Sequence, residues 1–143
     1  CISCGTKRAP GDPALHLYCG PMADVTAPAD DGSRSVVFAG AWTPTPDLAD
    51  EGDAAHAAVA ACWSALDCPS AAPFADPHAE HPSVLARIAV RIVRQARIGE
   101  AHVLAAWELS VDGRKRRSAS VLLDSTGEVL GVAEALWIEV RPR

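Results

Sequence analysis

One segment near the middle of the chain limits the fold more than any other. From Ala54 to Leu66 the sequence reads AAHAAVAACWSAL, with alanine at seven positions. Its apolar residues would surround the whole circumference of a helix, and a helix without a polar face must be buried. The acidic residues of segment 47–53 predict that this helix begins near residues 50–53, because carboxylates are favourable at a helix N-terminus. Pro69 and Pro73 predict its end.

Alternating patterns predict a β-sheet that covers this helix. Small and apolar residues alternate over 34–42, and further period-two segments occupy 84–94 and 101–111. Residues 115–123 are predicted as a strand from the turn before them, and residues 128–140 from their Val, Leu and Ile content beside that strand. Asp112-Gly113 predicts a hairpin turn, and we expect the last four strands to form a meander. In the first of these four, Val84, Ala86, Ile88, Val90 and Ile92 share the predicted inner face. Residues 5–13 and 20–33 predict loops around 15–19, which forms a short edge strand at most.

Composition excludes several classes of protein. With 143 residues, 49% of them hydrophobic, the chain can build one domain with its own core. We expect residues 34–143 to form that domain and residues 1–33 to pack on it. A net charge of −5 argues against general nucleic-acid binding, and the lack of an 18-residue apolar window argues against a membrane span. The odd number of cysteines, five, favours reduced thiols and a cytoplasmic protein.

A buried helix followed by a long antiparallel sheet resembles the hotdog superfamily of acyl-CoA thioesterases and dehydratases. The resemblance covers residues 34–140 and depends on the element order, the alanine-rich helix and the segment WSALDCP at 63–69. It implies an α+β hotdog fold, in which a curved antiparallel sheet wraps one long buried helix. It also implies that the protein binds and hydrolyses acyl thioesters without a separate cofactor, with CoA or phosphopantetheine as part of the substrate.

Two narrower resemblances concern the ends of this region. An actinobacterial thioesterase-like subgroup is similar in its opening Cys-x-x-Cys-Gly turn and its Ala-Leu-Asp-Cys-Pro run. In the phenylacetic-acid-pathway type of hotdog thioesterase, His-Gly-Gly opens the helix and an aspartate follows nine positions after the histidine. Asp67 matches that aspartate, but Ala58 stands at the position of the histidine and the chain contains no His-Gly-Gly.

Asp67 is the candidate catalytic residue. A carboxylate beside a wholly apolar helix must be hydrogen-bonded or functional, because an unpaired buried charge is costly. Helical spacing would align it with His56, Ala60 and Trp63 on one face. Asp67 can then act as a general base or a nucleophile, with a backbone N–H at a helix N-terminus stabilising the thioester oxygen. The alternative is that its side chain caps the turn formed by Cys68-Pro69-Ser70.

Four further residues are candidates for substrate binding. His56 can contact the substrate or simply pair with Asp53. Trp63 can line an acyl pocket or belong to the core, as we expect of Trp107 and Trp137. Arg87 and Arg91, together with Arg94, Arg97 and the basic run 114–117, can form a patch that binds the phosphates of CoA. The alternative for these arginines is a solvated outer face of the sheet.

The N-terminal segment contains a possible zinc pattern. Cys1, Cys4, His16 and Cys19 have the spacing C-x2-C-x11-H-x2-C. In an extended LHLYC segment, however, His16 and Cys19 would point to opposite faces, so we expect no metal site. A zinc-bearing interaction module therefore ranks behind a thioesterase and behind a non-catalytic acyl-binding or regulatory protein. Because a six-stranded sheet leaves an edge exposed, we expect a homodimer or a dimer of dimers with the groove between subunits.

Overall fold

The computed structural model describes residues 5, 8–9, 12, 14–76 and 80–141. Its main feature is a six-stranded antiparallel sheet in the order β1-β2-β6-β7-β8-β5. The strands of this sheet are β1 (Gly20–Pro28), β2 (Arg34–Trp42), β5 (Ser83–Ile92), β6 (His102–Asp112), β7 (Lys115–Leu123) and β8 (Val129–Glu139). A separate hairpin consists of β3 (Ala49–Asp50) and β4 (Asp53–Ala57), and a short 3-10 helix (Pro46–Leu48) precedes it.

The helix is shorter than the sequence predicts. α1 spans Val59–Asp67 and continues as a 3-10 helix over Cys68–Phe74, here called the 3-10 extension, so the helical path covers 16 residues. Residues 54–57 belong to β4, and Pro69 and Pro73, expected to end the helical path, both lie inside the 3-10 extension. Only one side of α1 is buried, through Ala61, Cys62, Ala65 and Leu66. The expectation of one long helix buried on all sides is therefore wrong.

Two predictions about the sheet also need correction. Residues 20–28, expected to form a loop, make the edge strand β1, while 15–19 have no strand structure. An edge position tolerates Pro21 and Pro28, because an outward-facing proline removes no ladder hydrogen bond. The last four strands are not a meander, since β5 pairs with β8 while β6 lies between β2 and β7. The strands themselves are confirmed within two residues of the predicted bounds.

A bulge in β5 changes which side chains face the helix. The register with β8 shifts between Leu85 and Arg87, so Ala86 is the extra residue. Ile88, Val90 and Ile92 pack against the core as predicted, whereas Val84 and Ala86 are exposed. A bulge reverses the face on which the residues beyond it lie. The single apolar face predicted for this strand is thus correct only after the bulge.

The core lies between the sheet and the helical path. α1 packs on β5, β7 and β8, and the 3-10 extension packs on β2, β6, β7 and β8. Buried residues of both layers meet there, including Leu66, Leu104 and Leu122. Leu15 and Leu17, at 7% and 4% exposure, join the same cluster from the segment before β1. None of the described helices is long and apolar enough to cross a membrane.

Candidate functional site

Asp67 is the last residue of α1, and its carboxyl group is half-buried. Within the part of the chain that the structure describes, this carboxyl has no hydrogen-bond or ion-pair partner. It stands at the N-cap position of the 3-10 extension but makes no capping hydrogen bond, so the capping alternative is wrong. Desolvation by burial raises the pKa of Asp67 above its ordinary value of 3.8. A carboxyl group in such surroundings is a candidate for proton transfer or nucleophilic attack.

Hydrogen bonds from the sheet fix the backbone around Asp67. Ser120 Oγ donates to the Leu66 carbonyl at 2.8 Å, and Ser118 Oγ donates to the Ser70 carbonyl at 2.7 Å. Ser70 Oγ in turn donates to the Asp67 carbonyl at 2.6 Å and accepts from Trp137 Nε1 at 3.1 Å. The main chain of Asp67 is therefore held by β7 and β8, while its carboxyl group is left without a partner in this network.

The prolines explain why serines are required at these two positions of β7. In a 3-10 helix each carbonyl accepts from the N–H three residues later. For Ser70, inside the 3-10 extension, that residue is Pro73. For Leu66, in the last turn of α1 where the helix passes into the 3-10 extension, it is Pro69, and neither proline has an N–H. The buried hydroxyl groups of Ser120 and Ser118 satisfy these carbonyls instead. Neither serine was predicted to be functional, although two signals were visible: the serines alternate with Ala119 and Val121 in β7, and two prolines stand four residues apart.

The other end of α1 offers backbone donors. Ala58 occupies the N-cap position and has no side chain that can cap the helix. The first N–H groups of a helix have no acceptor within it and carry partial positive charge. Val59 and Asp67 are eight residues apart, so they lie about 12 Å apart along one helix at 1.5 Å per residue. A single thioester carbonyl cannot contact both ends of the same α1.

His56 lies near the start of α1, away from Asp67. It belongs to β4, so the predicted stripe of His56, Ala60, Trp63 and Asp67 on one helix is wrong. Its Nδ1 lies 2.7 Å from Asp53 Oδ2, the pairing considered as an alternative, and this contact lowers the pKa of Asp53. Both residues line an open cavity of about 570 Å³, which also includes Arg94, Arg97 and the buried His102 among its described walls.

Trp63 and the two predicted arginines do not converge on Asp67. Trp63 is 38% exposed on α1, outside the core. Arg87 and Arg91 are exposed on β5, on the face opposite to the residues that pack on the core. Trp137 is half-buried and hydrogen-bonds to Ser70. A role of His56, Trp63, Arg87 or Arg91 in substrate binding therefore stays a prediction.

Four of the eight basic residues at positions 87, 91, 94, 97 and 114–117 are paired with carboxylates. Arg94 pairs with Glu128, and Arg97 lies 3.8 Å from Glu100. Arg116 bonds to Glu139 at 3.2 Å, while Arg117 pairs with Glu134 at 2.6 Å and also with Asp30. These contacts reduce the positive charge that a phosphate would meet and favour the solvated sheet face. Among the described residues of this set, Arg87, Arg91, Arg114 and Lys115 have no such ion pair.

The described cysteines, Cys19, Cys62 and Cys68, form no disulfide bond with one another. Of the proposed zinc ligands, Cys1 and Cys4 lie outside the described residues, whereas His16 contacts the Asp12 carbonyl through Nε2 at 3.0 Å. Over the described ranges, no three His, Cys, Asp or Glu side chains are grouped as metal ligands. Burial raises the pKa of the Cys19 thiol to about 11, which keeps this thiol protonated at neutral pH.

Comparison with known proteins places the fold among thioesterase superfamily structures. Zebrafish thioesterase superfamily member 2 aligns with 96% of this chain and 92% of its own length, at a TM-score of 0.66 and 13% identity. A protein of Streptococcus mutans solved with acetyl-CoA bound aligns with 93% of this chain and 97% of its own, at a TM-score of 0.62 and 6% identity. A further thioesterase superfamily protein has a TM-score of 0.63 and 21% identity over 73% of this chain, which spans 52% of that protein.

The sequence comparisons give no closer assignment. No family model matches the chain, and no curated protein matches it. At these identities the structural neighbours establish the fold only, which is the hotdog arrangement of an antiparallel sheet packed on one helix.

Proposed function

We propose that this protein is an acyl-thioester hydrolase, with Asp67 as its catalytic group and acyl-CoA or an acyl carrier protein as the source of substrate. One observation carries the proposal: the half-buried carboxyl of Asp67 has no capping bond and an elevated pKa, at the end of the helix packed on a hotdog sheet. Ionised, the carboxylate can accept a proton from water that attacks the thioester carbon, and the proton then goes to the thiolate released when the C–S bond breaks. Alternatively it attacks that carbon itself, releasing the thiolate and forming a mixed anhydride that water hydrolyses. The acetyl-CoA bound to the S. mutans neighbour supports this class of ligand.

The active site is completed by a second protomer. β5 is an unpaired edge of ten residues without proline, whereas the opposite edge, β1, contains Pro21 and Pro28. Prolines discourage edge pairing, so β5 is the edge that we expect to join a second copy in a continuous antiparallel sheet. The twofold axis of such a pairing is perpendicular to the sheet. Because α1 lies over β5, β7 and β8, it would run beside its partner in the opposite direction.

This arrangement brings Asp67 of one protomer towards the N-terminal end of the helix in the other. A thioester carbonyl between them has the Asp67 carboxylate on one side and the backbone N–H of the partner's Val59 on the other. That N–H can stabilise the oxyanion that develops on the carbonyl oxygen. In solution we therefore expect a species of twice the 14.9 kDa chain mass. Sedimentation equilibrium at micromolar concentration measures this, and a stable monomer would contradict the shared site.

The test of the proposed function is turnover of an acyl-CoA panel that includes short, long and aromatic chains. Thioester loss is followed chromatographically, with calorimetric binding of the same compounds in parallel. We expect hydrolysis of at least one member of the panel. Binding without turnover would instead favour the second candidate, a non-catalytic acyl-binding or regulatory protein, which the absence of His-Gly-Gly before α1 supports. A protein that neither binds nor hydrolyses any compound of the panel would refute both candidates.

Subunit mixing tests whether the site is shared. Val59→Pro removes an N–H at the first position of α1, where proline is well tolerated, and Ala58 already has the extended backbone (φ −53°, ψ 145°) that a residue before proline needs. We expect Val59→Pro and Asp67→Asn to be inactive separately. After unfolding and refolding together, their statistical mixture should regain about a quarter of wild-type activity, because half the dimers contain one intact site. No recovery from a mixture shown to contain heterodimers would place both groups in one protomer.

A further inference from the structure

A small apolar cleft lies beside the end of α1, outside the sheet. Residues 17–19, which precede β1, form one wall, and the first turns of the 3-10 extension, including Pro69, Ala71 and Ala72, form the other. Its volume is about 230 Å³. The segment that supplies the first wall lies before the part of the chain that resembles a hotdog domain, so the sheet and helix alone do not create this cleft.

The cleft is suited to an uncharged ligand. Leu17, Ala71 and Ala72 present hydrocarbon, and no ionised group is among its described walls. The Cys19 thiol is protonated at neutral pH and so behaves as a small apolar group. Tyr18 lies at the rim with 57% of its surface exposed. An apolar chain that entered the cleft would be removed from water without leaving a buried polar group unpaired.

The wall formed by residues 17–19 is held in place by the core and by β2. Leu15 and Leu17 are buried on either side of His16, whose φ of +50° turns the chain. The Tyr18 carbonyl passes so close to Gly40 of β2 that a Cβ there would lie 1.8 Å from its oxygen. Because both walls are anchored, the cleft is formed before any ligand binds, which is typical of small-molecule sites.

The position and size of the cleft indicate which part of a ligand it takes. Cys68 lines the cleft and directly follows Asp67, so the two Cα atoms are about 3.8 Å apart. The volume equals roughly seven or eight water molecules at about 30 Å³ each, below the range of pockets that enclose a whole drug-sized ligand. It therefore fits one short apolar arm of a larger molecule whose reacting centre lies at Asp67.

We propose that this cleft is the acyl pocket and that it selects short acyl chains. The proposal rests on the proposed function and adds to it the substrate class and the residues that set chain length. The thioester carbon would lie at Asp67, the acyl chain would extend between Leu17 and Ala71, and the CoA portion would remain outside the cleft. The N-terminal segment is then a specificity element.

The test compares chain-length profiles of kcat/KM for acetyl-, butanoyl-, hexanoyl-, octanoyl- and dodecanoyl-CoA. Ala71→Leu fills the cleft, so kcat/KM for hexanoyl-CoA should fall tenfold or more while that for acetyl-CoA changes less than about twofold, in line with the effect of pocket methylenes on discrimination. Cys19→Ala enlarges the cleft and should raise kcat/KM for octanoyl-CoA relative to kcat/KM for hexanoyl-CoA. Ala101→Leu adds the same side chain at an exposed loop position and should leave the profile unchanged.

Each outcome decides the proposal. Shifts in opposite directions for the two cleft variants support it. An unchanged profile in either variant, or an equal loss for every substrate including acetyl-CoA, overturns it while leaving the hydrolase assignment intact. If Ala71→Leu fails to fold, the Cys19→Ala profile decides alone. If the wild-type protein neither binds nor hydrolyses any member of the series, the acyl pocket and the proposed function both fail.

Discussion

Replacing Ser120 with alanine should destabilise the protein far more than the loss of one oxygen atom suggests. The Ser120 hydroxyl is 1% exposed and donates to the Leu66 carbonyl at 2.8 Å, at the junction of α1 and the 3-10 extension. Pro69 cannot supply the N–H that a 3-10 helix would offer this carbonyl. After the substitution the buried acceptor loses this donor, and a buried group left unsatisfied costs about 1–3 kcal/mol.

The same reasoning applies to Ser118, which is fully buried and donates to the Ser70 carbonyl at 2.7 Å. Pro73, three residues after Ser70, has no N–H to offer this carbonyl. Each serine variant should therefore lose about 1–3 kcal/mol of unfolding free energy, or roughly 3–10 °C in Tm for a domain of this size. Urea unfolding followed by tryptophan fluorescence measures the first quantity, and calorimetry the second. Ser125→Ala, in an exposed turn, is the control and should stay within about 0.5 kcal/mol of wild type.

A double-mutant cycle separates this explanation from a general loss of packing. Pro69→Ala restores an N–H three residues after Leu66, so it should offset part of the cost of Ser120→Ala but not that of Ser118→Ala. Additive effects in the first pair would refute the role assigned to Pro69. A Ser120→Ala variant as stable as Ser125→Ala would refute the reasoning as a whole.

Three further predictions concern other parts of the molecule. Gly40→Ala places a Cβ 1.8 Å from the Tyr18 carbonyl oxygen and should lower the free energy of unfolding, measured in urea, by about 1–3 kcal/mol or more. The control Gly20→Ala has open space around its Cβ and should cause no such loss. Equal effects of the two substitutions would contradict the close approach of Tyr18 to Gly40. Cys19 has a pKa of about 11, so little of it is thiolate at pH 8, and it should react with iodoacetamide at least a hundredfold more slowly than a model thiol. Peptide mass spectrometry follows the reaction. A rate equal to that of the model thiol would contradict the burial of Cys19. Because the pKa of Asp67 is raised, the folded protein holds this proton more tightly than the unfolded chain, and the free energy of unfolding falls as the pH rises through that pKa. Asp67→Asn should therefore have a Tm at or above that of the wild type at pH 7. A much lower Tm would contradict the absence of a partner for the carboxyl group.

Much of the sheet could be predicted because its signals are local. Alternation identified β2 at its observed bounds, and Asp112-Gly113 identified β7 and its hairpin with β6. What local patterns do not contain is the order of strands in the sheet. The pairing of β5 with β8, and the insertion of β6 beside β2, depend on contacts between residues far apart in the sequence.

The start of the helix shows how tertiary contacts override local preference. Residues 54–57 contain three alanines and favour a helix by propensity. In the structure they form β4, where the Ala57 N–H donates to the Ala96 carbonyl at 2.8 Å and His56 forms a bridge with Arg97. Position 96 lies in the connection between β5 and β6, so no window around 54–57 contains this information.

The candidate site was predictable in part. A single carboxyl at the end of an apolar helix identified Asp67, because unpaired charges are rarely tolerated there. Whether Asp67 caps the next turn depended on the geometry of the 3-10 extension, which the prolines alone did not reveal. The cleft between residues 17–19 and the 3-10 extension could not be predicted from the sequence, because it depends on how residues 15–19 pack across the helical path.

The central claim is that Asp67 performs the chemistry on an acyl thioester. The most direct measurement is kcat/KM of Asp67→Asn for the best acyl-CoA of the panel, beside wild type and the exposed control Asp47→Asn, with Tm recorded for all three. Asparagine keeps the size but neither accepts the proton nor attacks the carbonyl. We therefore predict a loss of roughly a hundredfold or more, with an unchanged or higher Tm, and no loss in the control. An Asp67→Asn variant that turns over at the wild-type rate would contradict the account.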